Sequence, residues 1–474
     1  MTDEISETPP PLPPSERKAG VWAWPLILLS VFFIGWSVNL FSPPNSGEGD
    51  RPPETDPADL ALLKIQSQVV IAAGAVSPSD AKQTIEELKE LGGGDRTYAS
   101  IALLESFIAA GGADPAATAE EISEDAPEEL RQMVSKAISE GISETERVAL
   151  KSYVGWFADL APAAGLEAAP ETEAIRMKAM LVLLLAGGAF LVALCSVVVG
   201  AILLFLKLRT HRESGGVCVF SRELGPRGVM LECFALYLGI MAMGEVLGVI
   251  ALRVGGKWSD LMSIPVVTYL IFGSAVIVPF LWTAFRGIRG KDFRRSLGFH
   301  TGQGFFREVA AGVAGYAGVI AIASVGVFLT LMLTMIVGVV DTLQADPGMA
   351  AGGGGAPPGP TPHPIVGWIY SGGWKQRMLC LLLAAGFAPF FEEIFFRGAL
   401  QRYLRGHLGF IGSALIGGVI FAALHPQGWM GIPALAAMGI GFSLLREWRD
   451  SLIAPMVAHA INNGALVTIL CLAL

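Results

Sequence analysis

Long apolar runs separated by short polar ones pattern most of this chain, and their length rather than their periodicity predicts what they are. Stretches long enough to cross a bilayer as helices, about 17 to 25 residues, lie near 21 to 41, 177 to 206, 229 to 251, 263 to 286, 308 to 340, 377 to 401, 410 to 428, 432 to 447 and 452 to 473. Between the first and second runs the pattern changes to apolar positions at helical spacing, in about 60 to 74, 79 to 91, 97 to 110, 127 to 138 and 144 to 160. Ser143 with Glu146 reads as a capping box, Ser77-Pro78-Ser79-Asp80 as a second helix start, and Gly92-Gly93-Gly94 and Gly111-Gly112 as stops. The fold class expected is all-α: a polytopic transmembrane bundle of about nine helices with a small helical extracytoplasmic insert.

The first run follows Arg17 and Lys18 and invites comparison with a signal peptide. It is longer than the roughly 7 to 15 apolar residues of a signal sequence, and Phe41-Ser42-Pro43-Pro44 offers no small-x-small cleavage site. An uncleaved anchor over 21–41 is expected, preceded by a Pro-rich tail over 1–20. A second Pro- and Gly-rich stretch, Ala345 to Pro364, reads as an external loop.

Composition sharpens this picture. With 53% hydrophobic and 16% charged residues, the chain is more apolar than a soluble protein, where about a quarter are charged. The net charge of -9 hides a split, because residues 43 to 175 hold 25 Asp and Glu against 9 Lys and Arg. Lys and Arg outside that segment gather at Arg17 and Lys18, Lys207 to Arg212, Arg286 to Arg295, Arg402 with Arg405, and Arg446 with Arg449. Nine alternating spans put all five groups on one side, which the positive-inside rule makes cytoplasmic. The N-terminus is then inside, and the C-terminus and the acidic insert at 43–175 are extracytoplasmic. No basic stripe remains for nucleic acid. Cys195, Cys218, Cys233, Cys380 and Cys471 avoid the external segment, so no structural disulfide is expected.

Against that apolar background six polar residues near the C-terminus stand out: Glu392, Glu393, Arg397, His425, His459 and Asn463. An ionisable group inside a membrane helix costs about 2.5 to 3.5 kcal/mol on insertion scales. A whole cluster therefore points to function. Glu393 and Arg397 are four apart on a helix and can pair, whereas Glu392 projects about 100° away. This divides the two carboxylates into a structural Glu393 and a chemical Glu392, with Pro389 expected to kink the helix beside them. His425 follows one turn after Phe421 and should face Glu392 across a helical hairpin. His459 and Asn463 share one face of the last helix. A carboxylate with a histidine can activate water, and a second histidine with an asparagine amide can hold the oxyanion formed on a carbonyl.

Marks of other intramembrane hydrolases are missing. No His-Glu-x-x-His motif is present, and Asp341 and Asp450 fall at helix ends rather than as an intramembrane pair. Ser443 with His459 is a faint Ser/His dyad, better explained by a small packing residue. His211, His300, His363 and His407 fall in loops.

Three motifs run in order: Glu392-Glu393-Ile394-Phe395-Phe396-Arg397, Phe421-Ala422-Ala423-Leu424-His425 and His459-Ala460-Ile461-Asn462-Asn463. Together they resemble the CAAX protease and bacteriocin-processing (CPBP, or Abi) family of intramembrane proteases, whose eukaryotic representative is the Ras-converting CAAX endopeptidase. The resemblance covers about 370 to 474 and says nothing of residues 1 to 175. It implies a protease core over 290–474 behind transmembrane helices over 177–286. It also implies catalysis by Glu392 with His425 on water and by His459 with Asn463 on the oxyanion, supported by Glu393, Arg397 and Phe421. The family has been called both a glutamate-type protease and a metalloprotease. A reading that requires no cofactor is preferred here; in the zinc reading Glu392, His425 and His459 are the ligands. A membrane-associated protein or peptide is the expected substrate, prenylated in the eukaryotic relatives, and the acidic external domain is a candidate surface for a protein partner. The alternative function is a non-catalytic membrane scaffold or transport component that uses the same polar cluster to recognise peptide or lipid.

Overall fold

The structure is a computed structural model that describes residues 19–41, 57–74, 78–90, 94–108, 114–162, 170–214, 227–254, 265–344 and 363–474. Most of the Pro-rich tail, the loop expected at 345–364 apart from its last two residues, Cys218, and the glycine stops at 92, 93, 111 and 112 lie outside them. Among the described residues the chain is helical throughout, with no strand.

Six helices are long and apolar enough to cross a membrane: Glu173–Leu203, Gly228–Ala251, Phe305–Gly338, Trp374–His407, Trp429–Arg449 and Ile453–Ala473. A seventh forms if Leu270–Phe285 and Gly290–Leu297, bent by 120° at their junction, are one span. Among the described residues two more of the nine expected apolar helices, Ala23–Gly35 and Phe410–Ala423, are present but shorter. Phe410–Ala423 has 14 residues, a rise of about 21 Å against a hydrocarbon core of about 30 Å. It ends early because Pro426 disfavours helical geometry at the residue before it. The anchor helix Ala23–Phe41 also falls in the shorter class, with Ala23–Gly35 as its apolar stretch.

By its contacts the chain divides into two compact units. One comprises residues 1–42, 195–330 and 383–464. Here Arg227–Val254 packs against the anchor helix and against Pro265–Phe285. Glu232, buried on that helix, accepts hydrogen bonds from the Gly20 backbone N–H (2.7 Å) and Trp282 Nε1 (2.8 Å) and pairs with Arg286 (3.3 Å). A buried carboxylate is tolerated only when so satisfied. The same helix lays Phe234 and Tyr237 against Phe396 and Phe395, on the segment that carries the first motif. Phe410–Ala423 and Ile432–Arg449 pack closely because Gly418 and Gly439 meet: a Cβ on Gly439 would lie 3.0 Å from the Gly418 Cα.

The other unit comprises residues 43–194, 331–382 and 465–474. Its core is the helical insert, where Ile101, Leu104, Val134, Leu150 and Phe157 are buried together. The five expected helices are present, and the capping box is formed, with Ser143 and Glu146 each bonded to the other's backbone N–H. A sixth, short helix, Pro115–Glu120, starts on an Asp114 cap, and the last expected helix tightens into a 3-10 turn over Gly155–Leu160. Helix Ile365–Ser371, beyond the Gly-rich stretch, packs on Pro57–Gly74. Its Tyr370 hydroxyl lies against Gly155, which has a φ of +58°; a Cβ there would be 2.5 Å from the oxygen.

Candidate functional site

The first motif lies within Trp374–His407, a helix interrupted by two π-helical segments, Leu383–Phe387 and Ile394–Leu400, on either side of Ala388–Glu393. The expected break at Pro389 thus takes the form of a π segment. In the π register the carbonyl of Ala384 would accept from residue 389, and proline has no N–H to give. Asn463 takes its place, donating from Nδ2 to Ala384 O at 3.0 Å. Asn463 Oδ1 accepts from Asn462 Nδ2 (3.2 Å), and Asn462 Oδ1 accepts from the Tyr316 hydroxyl (3.3 Å). This chain fixes which end of each amide is oxygen and which is nitrogen. One Asn463 N–H is engaged and the other is left for a ligand.

Glu393 and Arg397 are both buried and pair at 3.0 Å, as helix spacing predicts. Arg397 also donates to Gly439 O (2.9 Å), and its guanidinium lies over the rings of Phe421 (4.7 Å) and Phe442 (5.3 Å). The same oxygen of Glu393 lies 2.9 Å from His459 Nδ1. Since a carboxylate accepting from arginine is ionised, Nδ1 carries the proton. The His459 ring stacks on Phe442 (4.6 Å between centroids) and meets the edge of Phe421 (5.9 Å). Two aromatic faces and one carboxylate therefore hold this imidazole, leaving Nε2 to face outward.

His459 Nε2 lies 3.9 Å from Glu392 Oε2, beyond direct hydrogen bonding. His425 holds its Nδ1 2.7 Å from the carbonyl of Phe421, so that nitrogen donates and Nε2 keeps a lone pair. Phe421 packs on the same ring at 4.4 Å, the apolar wall expected from the spacing. Glu392, His459 and Arg397 all act electrostatically on His425. No direct hydrogen bond joins Glu392 to His425 among the described residues. Oε2 of Glu392 and of Glu393 are each buried without a partner in the protein.

The structure thus gathers Glu392, Glu393, Arg397, Phe421, His425 and His459 around one locus, with Asn463 one turn from His459 on the Ala384 carbonyl. It does not gather a metal site. Among the described residues no three His, Cys, Asp or Glu side chains converge as ligands. Glu392, His425 and His459, as arranged, do not form a zinc site. Ser443 gives its hydroxyl to Gly439 O (3.0 Å), within its own helix.

Phe442, Asn462 and Tyr316 escaped the sequence reading, and so did the second partner of Glu393. A glutamate and a histidine 66 residues apart leave no spacing signal. Asn462 points away from His459 on a helical wheel, and it acts by turning the Asn463 amide.

No curated protein and no solved structure matches the chain. Residues 374–465 match the family described as type II CAAX prenyl endopeptidase Rce1-like. That span contains all three motifs, so this part of the chain is similar to the Rce1-like CAAX prenyl endopeptidases over the residues that carry the site.

Proposed function

We propose that this protein is an intramembrane endopeptidase that hydrolyses a peptide bond of a membrane-associated, prenylated protein by a water activated without metal. The observation that carries the reading is the Rce1-like match over residues 374–465, coupled to a cluster of buried polar groups that the fold alone does not need. In this reading Glu392 is the general base. His425, with Nδ1 on the Phe421 carbonyl, orients and relays the proton through Nε2. The water oxygen attacks the scissile carbonyl carbon, its proton passes to the Glu392–His425 pair, and that proton then goes to the leaving amide nitrogen.

Charge developing on the carbonyl oxygen is met by His459 and by the second N–H of Asn463. Because Nδ1 of His459 faces Glu393, Nε2 is the nitrogen turned to the oxyanion, and it donates there when the ring carries both protons. Glu393 and Arg397 hold that imidazole and the helix together. For topology, a cytoplasmic N-terminus with an external insert and C-terminus follows from the basic loops.

The test is cleavage of a prenylated CAAX peptide by purified protein in lipid. Glu392→Ala and His425→Ala are expected to lose cleavage while still inserting into membranes. Wild-type rates in Glu392→Ala would overturn the assignment. Activity lost on stringent chelation and restored by zinc would overturn the metal-free part alone.

A further inference from the structure

Tyr237 lies outside residues 374–465, on helix Arg227–Val254. It is buried, and its ring stacks on Phe395 with centroids 3.9 Å apart and planes 7° from parallel. Phe280 closes on the same Phe395 ring at 5.7 Å, which fixes the sandwich. Phe395 follows Glu392 by three residues, where Ala388–Glu393 passes into the π segment Ile394–Leu400. The stack therefore brings the Tyr237 ring to the stretch of helix that carries Glu392, and Glu392 acts electrostatically on its hydroxyl.

Both groups are short of partners. Oε2 of Glu392 is buried with no hydrogen bond from the protein, and the nearest donor, His459 Nε2, stands off at 3.9 Å. Among the described residues the Tyr237 hydroxyl likewise has no hydrogen-bond partner. Other polar groups nearby, such as Glu232, Arg397 and Asn463, are hydrogen-bonded, while Glu393 Oε2 and Gln401 Oε1 are buried without a partner as well. Buried polar atoms that lack a protein partner are characteristically bridged by ordered water, which needs two to four polar neighbours.

We infer that the Tyr237 hydroxyl and Glu392 together hold the hydrolytic water, making Tyr237 a further catalytic residue. This rests on the proposed function, in which Glu392 is the base. The phenol fixes the water by one hydrogen bond and keeps its own proton throughout. Glu392 takes the water proton as the water oxygen bonds to the carbonyl carbon. The stack on Phe395 gives the hydroxyl a rigid mount, so the nucleophile is positioned before substrate arrives.

Tyr237→Phe keeps the stack and removes one oxygen. The expected result is a fall in kcat on the order of tenfold or more with KM within about twofold of wild type, since a group on the water acts in the transition state without binding substrate. Unchanged kcat, or a loss confined to KM, overturns the inference. Tyr237→Gln and Tyr237→Leu both lose the ring and differ in having a polar end. Tyr237→Gln is expected to be the faster of the two, and equal rates would also overturn the inference. If Glu392→Ala is inactive while Tyr237→Phe is wild type, only the role of Tyr237 fails; an active Glu392→Ala removes the proposed function itself.

Discussion

At the residue scale the two adjacent glutamates do different work, and their partners show why. Glu393 has Arg397 and His459 on one oxygen, in full burial. Removing one member of a buried, hydrogen-bonded charge pair costs about 3–5 kcal/mol, because the other charge is left unpaired. Among the described residues Glu392 Oε2 has no hydrogen bond to lose. Glu393→Ala is therefore expected to lower the unfolding midpoint in detergent steeply, and Glu392→Ala to lower it little or not at all. Denaturant or thermal unfolding of the two variants side by side checks this, and equal losses would contradict the division. The helical spacing of Glu393 to Arg397 and of Phe421 to His425 made those contacts legible in the sequence. The contacts of His459 with Glu393 and Phe442 join different helices, and no local period encodes them.

At the element scale the motif helix is built around what Pro389 cannot do. Its missing N–H frees the Ala384 carbonyl, and Asn463 fills the position. Pro389→Ala restores a backbone donor that competes with the Asn463 side chain. The expected outcome is a raised or unchanged melting temperature, since a proline inside a helix costs about 3 kcal/mol, together with cleavage slowed on the order of tenfold. Parallel melting and cleavage assays test it, and a variant as active as wild type would show that the amide needs no backbone anchor. The existence of nearly every helix was readable from apolar run length. The π segments were not, because proline announces a disturbance without specifying whether the chain kinks, unwinds or widens. The early end of Phe410–Ala423 is marked in the sequence by Pro426, directly after His425.

At the scale of the whole molecule, composition separated a membrane-embedded part from an acidic helical insert, and the structure adds what the insert holds. Lys64 sits on Pro57–Gly74. It is buried, it lies over Trp156 (5.1 Å) and near Tyr370 (6.0 Å), and it donates to Leu474 O. Gln68, one turn on, donates to Ala473 O at 2.8 Å, so the pair satisfies carbonyls at the end of Ile453–Ala473 that the helix itself leaves open. Burial, reinforced by Lys178, Arg377 and Lys151 and opposed by Asp159, pulls the Lys64 ammonium down from 10.5 to about 7. Between those values the unfolded chain binds the proton and the folded one does not, so stability rises as pH climbs through that window, and the full penalty of the buried charge applies below it. Thermal scans of the wild type are thus expected to give a higher melting temperature at pH 9 than at pH 7, once other groups are matched by a Lys64→Met control. Lys64→Met should flatten that rise and melt higher than wild type at pH 6, provided the lost carbonyl contact costs less than the buried charge. A wild type and variant with parallel pH profiles would show that Lys64 stays charged in the folded protein and that Trp156 and the carbonyl outweigh its burial.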